Sequence, residues 1–210
     1  MKSVKKLSSG FGRFRKKYFG KKSTLFKELN KGQRPKTLVI SCCDSRVDPA
    51  IMFDCRPGEL FIVRNVANLV PSYNPDGGVH GVSAALEFAV CNLKVENIVV
   101  LGHSQCGGIM ALLGKNSGEF ISPWMETAQI AKKEALAISK GQSKKVRQKN
   151  CEYAAIKLSY ANLLTFPWIN ERINKGQLTL LAWYFDLGKG IIEQYSPKIG
   201  KFEVINQSNF

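Results

Sequence analysis

Residues 39–49 read Val-Ile-Ser-Cys-Cys-Asp-Ser-Arg-Val-Asp-Pro, an apolar β-branched run that stops at two thiols, a carboxylate and a guanidinium. Those groups would be costly to desolvate together in a core strand, so the stretch reads as a strand whose end opens into a site. Residues 97–108, Asn-Ile-Val-Val-Leu-Gly-His-Ser-Gln-Cys-Gly-Gly, have the same form and end in His103 and Cys106. Two thiolates and one imidazole suit a tetrahedral zinc ion, with Zn–S of about 2.3 Å and Zn–N of about 2.0–2.1 Å. Three protein ligands leave a fourth position for water or substrate, as catalytic rather than structural zinc requires. Alternation along an extended chain puts Cys42 and Cys43 on opposite sides, so only one of them is a ligand. The plainer alternative is three small buried cysteines, which does not account for polar groups gathering at two strand ends.

The elements that must position these groups alternate strand with helix. Strands are expected over 37–41, 60–63, 95–101 and 178–185, with strand-like pieces in the tail. Helices are expected near 49–53, over 82–93, 107–113 and 123–139, over 151–164 and over 168–174, with Pro123 in a first turn. Such alternation implies an α/β fold, a mostly parallel central sheet flanked by helices. Ligands of such sheets bind beyond the carboxyl ends of strands, where Cys42 and His103 both fall. Aromatic and aliphatic residues recur among the lysines of the first 30 residues, as in two short amphipathic helices broken near Gly20.

A chain of 210 residues reads as a single domain spanning 1–210, large enough to bury a core. No stretch approaches the roughly 20 apolar residues of a membrane span. Six cysteines without a secretion signal favour free thiols and metal ligands in the cytoplasm. The net charge of +15 is uneven: residues 1–36 hold 13 Lys or Arg against Glu28 alone. A basic block attracts polyanions, but no nucleic-acid motif accompanies it, so specific nucleic-acid binding is not expected.

The segments Cys42-Cys43-Asp44-Ser45-Arg46, Pro57-Gly58-Glu59, Arg64-Asn65-Val66-Ala67-Asn68, the helix start over 78–90 and Gly102-His103-Ser104-Gln105-Cys106-Gly107-Gly108 resemble the β-class carbonic anhydrases, in their plant-like branch. The resemblance runs through Trp183-Tyr184-Phe185-Asp186, nearly the whole chain. It implies that Cys42, not Cys43, joins His103 and Cys106 on zinc, with Asp44 and Arg46 as a catalytic dyad. It implies reversible hydration of carbon dioxide to bicarbonate and a proton, by hydroxide that zinc provides near neutral pH. Gln33, Phe61 and Phe88 match substrate-pocket positions, though Phe88 stands where the branch usually has tyrosine. Val39 stands where a bicarbonate-inhibited branch has tryptophan, so no second bicarbonate site is expected. The resemblance also implies a homodimer or a tetramer, with the basic arm over 1–36 packed on a partner subunit. The alternatives are a carbon disulfide or carbonyl sulfide hydrolase on the same fold, and a non-enzymatic zinc-stabilised binding module.

Overall fold

The computed structural model describes residues 2–20, 23–114 and 118–205. These form two compact units, one ending at Arg34 and one beginning at Pro35. In the first, α1 (Lys2–Tyr18) and α2 (Leu25–Leu29) are joined around Gly20. Phe14 is the hinge of their packing, with ring centroids 5.0 Å from Tyr18 and 5.5 Å from Phe26. Val4, Leu7 and Phe11 continue the same stripe at spacings of three and four, and in the chain taken alone they are exposed.

The second unit is built on six strands: β1 (Thr37–Cys42), β2 (Leu60–Asn65), β3 (Asn97–His103), β4 (Thr179–Asp186), β5 (Ile191–Ser196) and β6 (Lys201–Val204). Their order is β2-β1-β3-β4-β5-β6, parallel through the first four and antiparallel for β5 and β6. Alternation sorts the side chains by face. Leu38, Ile40, Ile98, Val100, Ala182 and Tyr184 point to one layer, where they meet Leu86, Ile156 and Phe166. Val39, Val99 and Leu101 point to the other, with Leu181 and Trp183 beside them. Each such aliphatic side chain contributes about 1.5–3 kcal/mol by leaving water, and strands buried on both faces have the near-continuous apolar sequence seen here.

The helices are α3 (Pro49–Met52), α4 (Gly81–Glu87), α5 (Gly107–Leu113), α6 (Ile121–Glu126), α7 (Gln129–Ile138), α8 (Lys144–Leu163) and α9 (Pro167–Asn174). Ser143 starts α8 by accepting the Val146 amide at 3.3 Å. A third cluster of buried side chains, including Val47, Leu69, Ile109, Leu112 and Met125, surrounds Cys42 and Cys106. Among the described residues no helix is long and apolar enough to cross a membrane.

Three sequence expectations change. The helix expected over 123–139 is two helices, α6 and α7, because the Thr127 hydroxyl donates to Trp124 O at 2.7 Å and competes with the helical ladder. The helix expected over 82–93 tightens only as far as Glu87. A π-helical turn, Phe88–Asn92, follows, with the Leu93 amide bonded to Phe88 O, five residues back. Strand β3 is displaced two residues: Lys36 O takes the Glu96 amide as well as that of Asn97, where pairing with β1 begins, and pairing with β4 carries the strand on to His103 opposite Phe185. His103 is therefore the last residue of its strand rather than the second beyond it, and Cys42 ends β1 rather than following it.

Candidate metal centre

After β1 the chain moves to β2 on one side, and after β2 it crosses to β3 on the other. The carboxyl ends of β1 and β3 therefore flank the point where strand order reverses, the crevice in which open α/β sheets bind ligands. Cys42 and His103 stand on its two walls. Three residues on, Cys106 lies just before α5, after a turn in which Gln105 adopts a left-handed backbone with φ 57°. Gly108 lets α5 come this close: a Cβ there would lie 2.7 Å from Val66 Cγ1 and 3.0 Å from Ala67 Cβ.

The Sγ atoms of Cys42 and Cys106 are 3.8 Å apart, and the donor atoms of Cys42, His103 and Cys106 all lie within 4.8 Å of one another. All three residues are buried. Two sulfurs bound tetrahedrally at about 2.3 Å would sit about 3.8 Å apart, so the pair already has the separation a zinc ion needs. His103 Nδ1 donates to Ser104 O at 2.9 Å, which fixes the tautomer. Its Nε2 is buried without a hydrogen-bond partner among the described residues, a lone pair free to meet a metal. The two thiols share a hydrogen bond. A hydrogen bond from Cys106 holds Cys42 down to about 4 against its burial, while that contact and burial push Cys106 up. A divalent cation held there would let both sulfurs ionise, and the donor set fits one. Cys43 lies on the other side, exposed, its amide extending the ladder to Asn65 O.

Beside the cluster, Arg46 grips Asp44 with both arms, Nε to Oδ1 at 2.9 Å and Nη2 to Oδ2 at 2.6 Å. The Arg46 hydrogen bonds hold the Asp44 carboxyl well below the usual carboxylate range. Asp44 Oδ2 is 3.9 Å from His103 Nε2, at the rim of the cluster. The loop that carries this pair is caged by Arg64, which donates to Cys42 O at 2.9 Å, Asp44 O at 2.7 Å and Val47 O at 3.1 Å. Trp124 fixes the facing turn, its Nε1 donating to Val66 O at 2.8 Å. A cleft of about 790 Å³, lined by Cys43, Arg64, Val66, His80 and Trp124 among others, opens beside this loop.

Phe61 on β2 and Phe88 at the end of α4 pack on each other, with centroids 6.0 Å apart, and Phe88 is largely exposed. Gln33 is exposed in the N-terminal unit. His80 pairs with Asp76 at 2.6 Å. Sequence reasoning passed over Glu152, a carboxylate 3% exposed inside α8. It accepts from the Cys106 amide, Gln148 and Tyr184, and burial raises its pKa against the pull of those donors. Its one sequence signal is a charge inside an otherwise apolar stretch, Cys-Glu-Tyr-Ala-Ala-Ile.

Comparison with known proteins finds a family described as carbonic anhydrase matching residues 37–192. The chain is 39% identical over 198 residues to beta carbonic anhydrase 3 of Arabidopsis thaliana, covering 91% of this chain and 76% of that one. It superposes on the β-carbonic anhydrase CcaA with a TM-score of 0.89 at 29% identity, covering 97% of this chain and 100% of the other. It also superposes on a tetrameric β-carbonic anhydrase of Sordaria macrospora, with a TM-score of 0.78 at 26% identity over 91% and 94% of the two chains.

Proposed function

Because this chain belongs to the β-class carbonic anhydrase family, we propose that Cys42, His103 and Cys106 hold a zinc ion with which it interconverts carbon dioxide and bicarbonate. The observation that carries the reading is the convergence of these three donors from two strand ends, with His103 Nε2 left free for a metal. Held there, zinc supplies the acidification of water to hydroxide near neutral pH. The two thiolates cancel its formal charge, so an acceptor beside the reacting water is needed more than at a site of neutral histidines.

Asp44 is that acceptor. Its ionised carboxylate takes a hydrogen bond from the attacking oxygen and turns that oxygen's lone pair toward the carbon of the substrate. Arg46 keeps the carboxylate ionised and oriented through two charge-assisted bonds. With both its oxygens bonded to Arg46, Asp44 would be kept from ligating a metal held by Cys42, His103 and Cys106, which supports an exchangeable water there near pH 8. Gln33, Phe61 and Phe88 serve the substrate side, contributed across a subunit boundary in a homodimer or tetramer. The partial exposure of the Phe61–Phe88 pair supports this placement. Six free thiols suit a reducing, cytoplasmic setting.

The test is stopped-flow carbon dioxide hydration on metal-quantified protein, beside Cys42→Ser. About one zinc per chain with rapid hydration is expected of the parent, and at least a hundredfold loss of both bound zinc and rate for the variant. A parent that hydrates carbon dioxide without bound metal would refute the assignment.

A further inference from the structure

The peptide joining Gln105 to Cys106 is gripped from both ends. Its carbonyl accepts from Arg46 Nη2 at 3.0 Å, and its amide donates to Glu152 Oε1 at 3.0 Å. The grip has something to resist, since Gln105 has φ 57°, a conformation that costs a residue with a Cβ about 1–2 kcal/mol. Arg46 is exposed and lies on the site side, whereas Glu152 comes from behind, out of the middle of α8. The carboxylate is itself built in. Gln148, one turn earlier, donates to Oε1 at 2.9 Å, and the fully buried Tyr184 of β4 donates to Oε2 at 3.0 Å. Three donors on one buried acceptor leave it little freedom.

We propose that Glu152 is a positioning residue for metal binding: by clamping the Cys106 amide against Arg46 it holds the strained Gln105–Cys106 turn, and so aims Cys106 Sγ at Cys42 and His103. Without the clamp the turn relaxes toward negative φ at Gln105, the Cys106 Cα–Cβ bond swings with the peptide plane, and the 3.8 Å sulfur pair opens. What matters in this role is the reach of the carboxylate oxygen to the amide, and its charge is secondary. Partners behind metal ligands act in this way, and their loss typically costs 10–100-fold in metal affinity. The inference rests on the reading of Cys42, His103 and Cys106 as a zinc site.

Two substitutions separate reach from charge. Glu152→Asp keeps the charge but is one methylene short of the Cys106 amide, while Glu152→Gln loses the charge and keeps an oxygen in place. The readouts are the rate of zinc loss to a chelator and the thiolate-to-metal charge-transfer band of the cobalt-substituted protein. Melting of the metal-free chains establishes that each is folded. Zinc loss at least tenfold faster in Glu152→Asp, with a shifted cobalt band, is expected. Glu152→Gln should stay within about threefold of the parent, with its band unmoved. If Glu152→Asp does not fold, Glu152→Met/Tyr184→Phe, which removes the acceptor without stranding the hydroxyl, takes its place with the same expectation. The reverse order, with Gln the weaker binder, would make the role electrostatic and overturn the proposal, as would equal retention or equal loss in all the variants. A parent that binds no zinc sinks the zinc reading itself, whereas a zinc-holding parent matched by Glu152→Asp sinks the clamp alone.

Discussion

Asp44 and Arg46 are two residues apart on one loop, yet three hydrogen bonds join them, including the Arg46 amide to Oδ1 at 3.0 Å. Because these bonds favour the ionised carboxylate, the folded-state pKa of Asp44 lies below its unfolded value. The pair therefore contributes stability that is complete above the ordinary carboxylate range and is lost as pH falls through the lowered folded-state value. Arg46→Met should melt below the parent at pH 7. The gap should narrow steadily as pH drops below about 4, where Asp44 in the unfolded chain takes up its proton. Melting curves of the metal-free proteins between pH 7 and 3 check this. A gap that keeps its size at low pH would mean that Arg46 stabilises the loop through its bond to Gln105 O rather than through Asp44.

At the level of elements, the site depends on how closely β3 and α8 approach. Gly102 precedes His103, and a Cβ on it would lie 2.4 Å from Ile156 Cδ1 and 2.6 Å from Ile156 Cγ1. Ile156 is one turn after Glu152 on the same helix, so the contact that seats Ile156 also sets the depth from which Glu152 reaches Cys106. Gly102→Ala should cost about 1–3 kcal/mol through overpacking. Adding Ile156→Ala should recover part of that cost, making the double variant more stable than the sum of the single effects allows. Urea unfolding of the four proteins tests it. Strictly additive effects would mean that the two residues do not press on each other.

At the scale of the whole molecule, each of the two units leaves apolar surface exposed. Strand β2 is one of the two outer strands of the sheet, with Ile62 partly exposed, and an unpaired apolar edge is a template for association. Val4, Leu7 and Phe11 of α1 have no cover within the described residues of the chain. Both features support the proposal that the arm packs on a second copy in a dimer or tetramer, with its lysines left in water. Burying such a side chain contributes about 1.5–3 kcal/mol, and each 1.4 kcal/mol is about tenfold in a dissociation constant. Sedimentation equilibrium at micromolar concentration should find a dimer or larger. Replacing Val4, Leu7 and Phe11 together by serine should weaken that assembly at least a hundredfold. A parent that sediments as a monomer, or a triple variant that assembles like the parent, would rule this role out for the arm.

Strand and helix identity was legible because it is local: β-branched runs at residues 37–41 and 97–101 and the spaced apolar stripe from Val82 follow from alternation and helical period. The donor types were legible too, since thiol, imidazole, carboxylate and guanidinium are properties of single residues. The boundaries were not, because β3 runs as far as its pairing with β1 and β4 carries it, and the break at Thr127 depends on a hydroxyl turning back on the backbone. Nor was the depth of the site. Cys106 and Glu152 are 46 residues apart, and nothing near either residue announces the bond between them. Residue chemistry and local period are written along the chain. The reversal of strand order that sets Cys42 beside His103, and the helix that brings a buried carboxylate up behind Cys106, exist only when distant segments pack and the burial of their shared apolar surface fixes their distances.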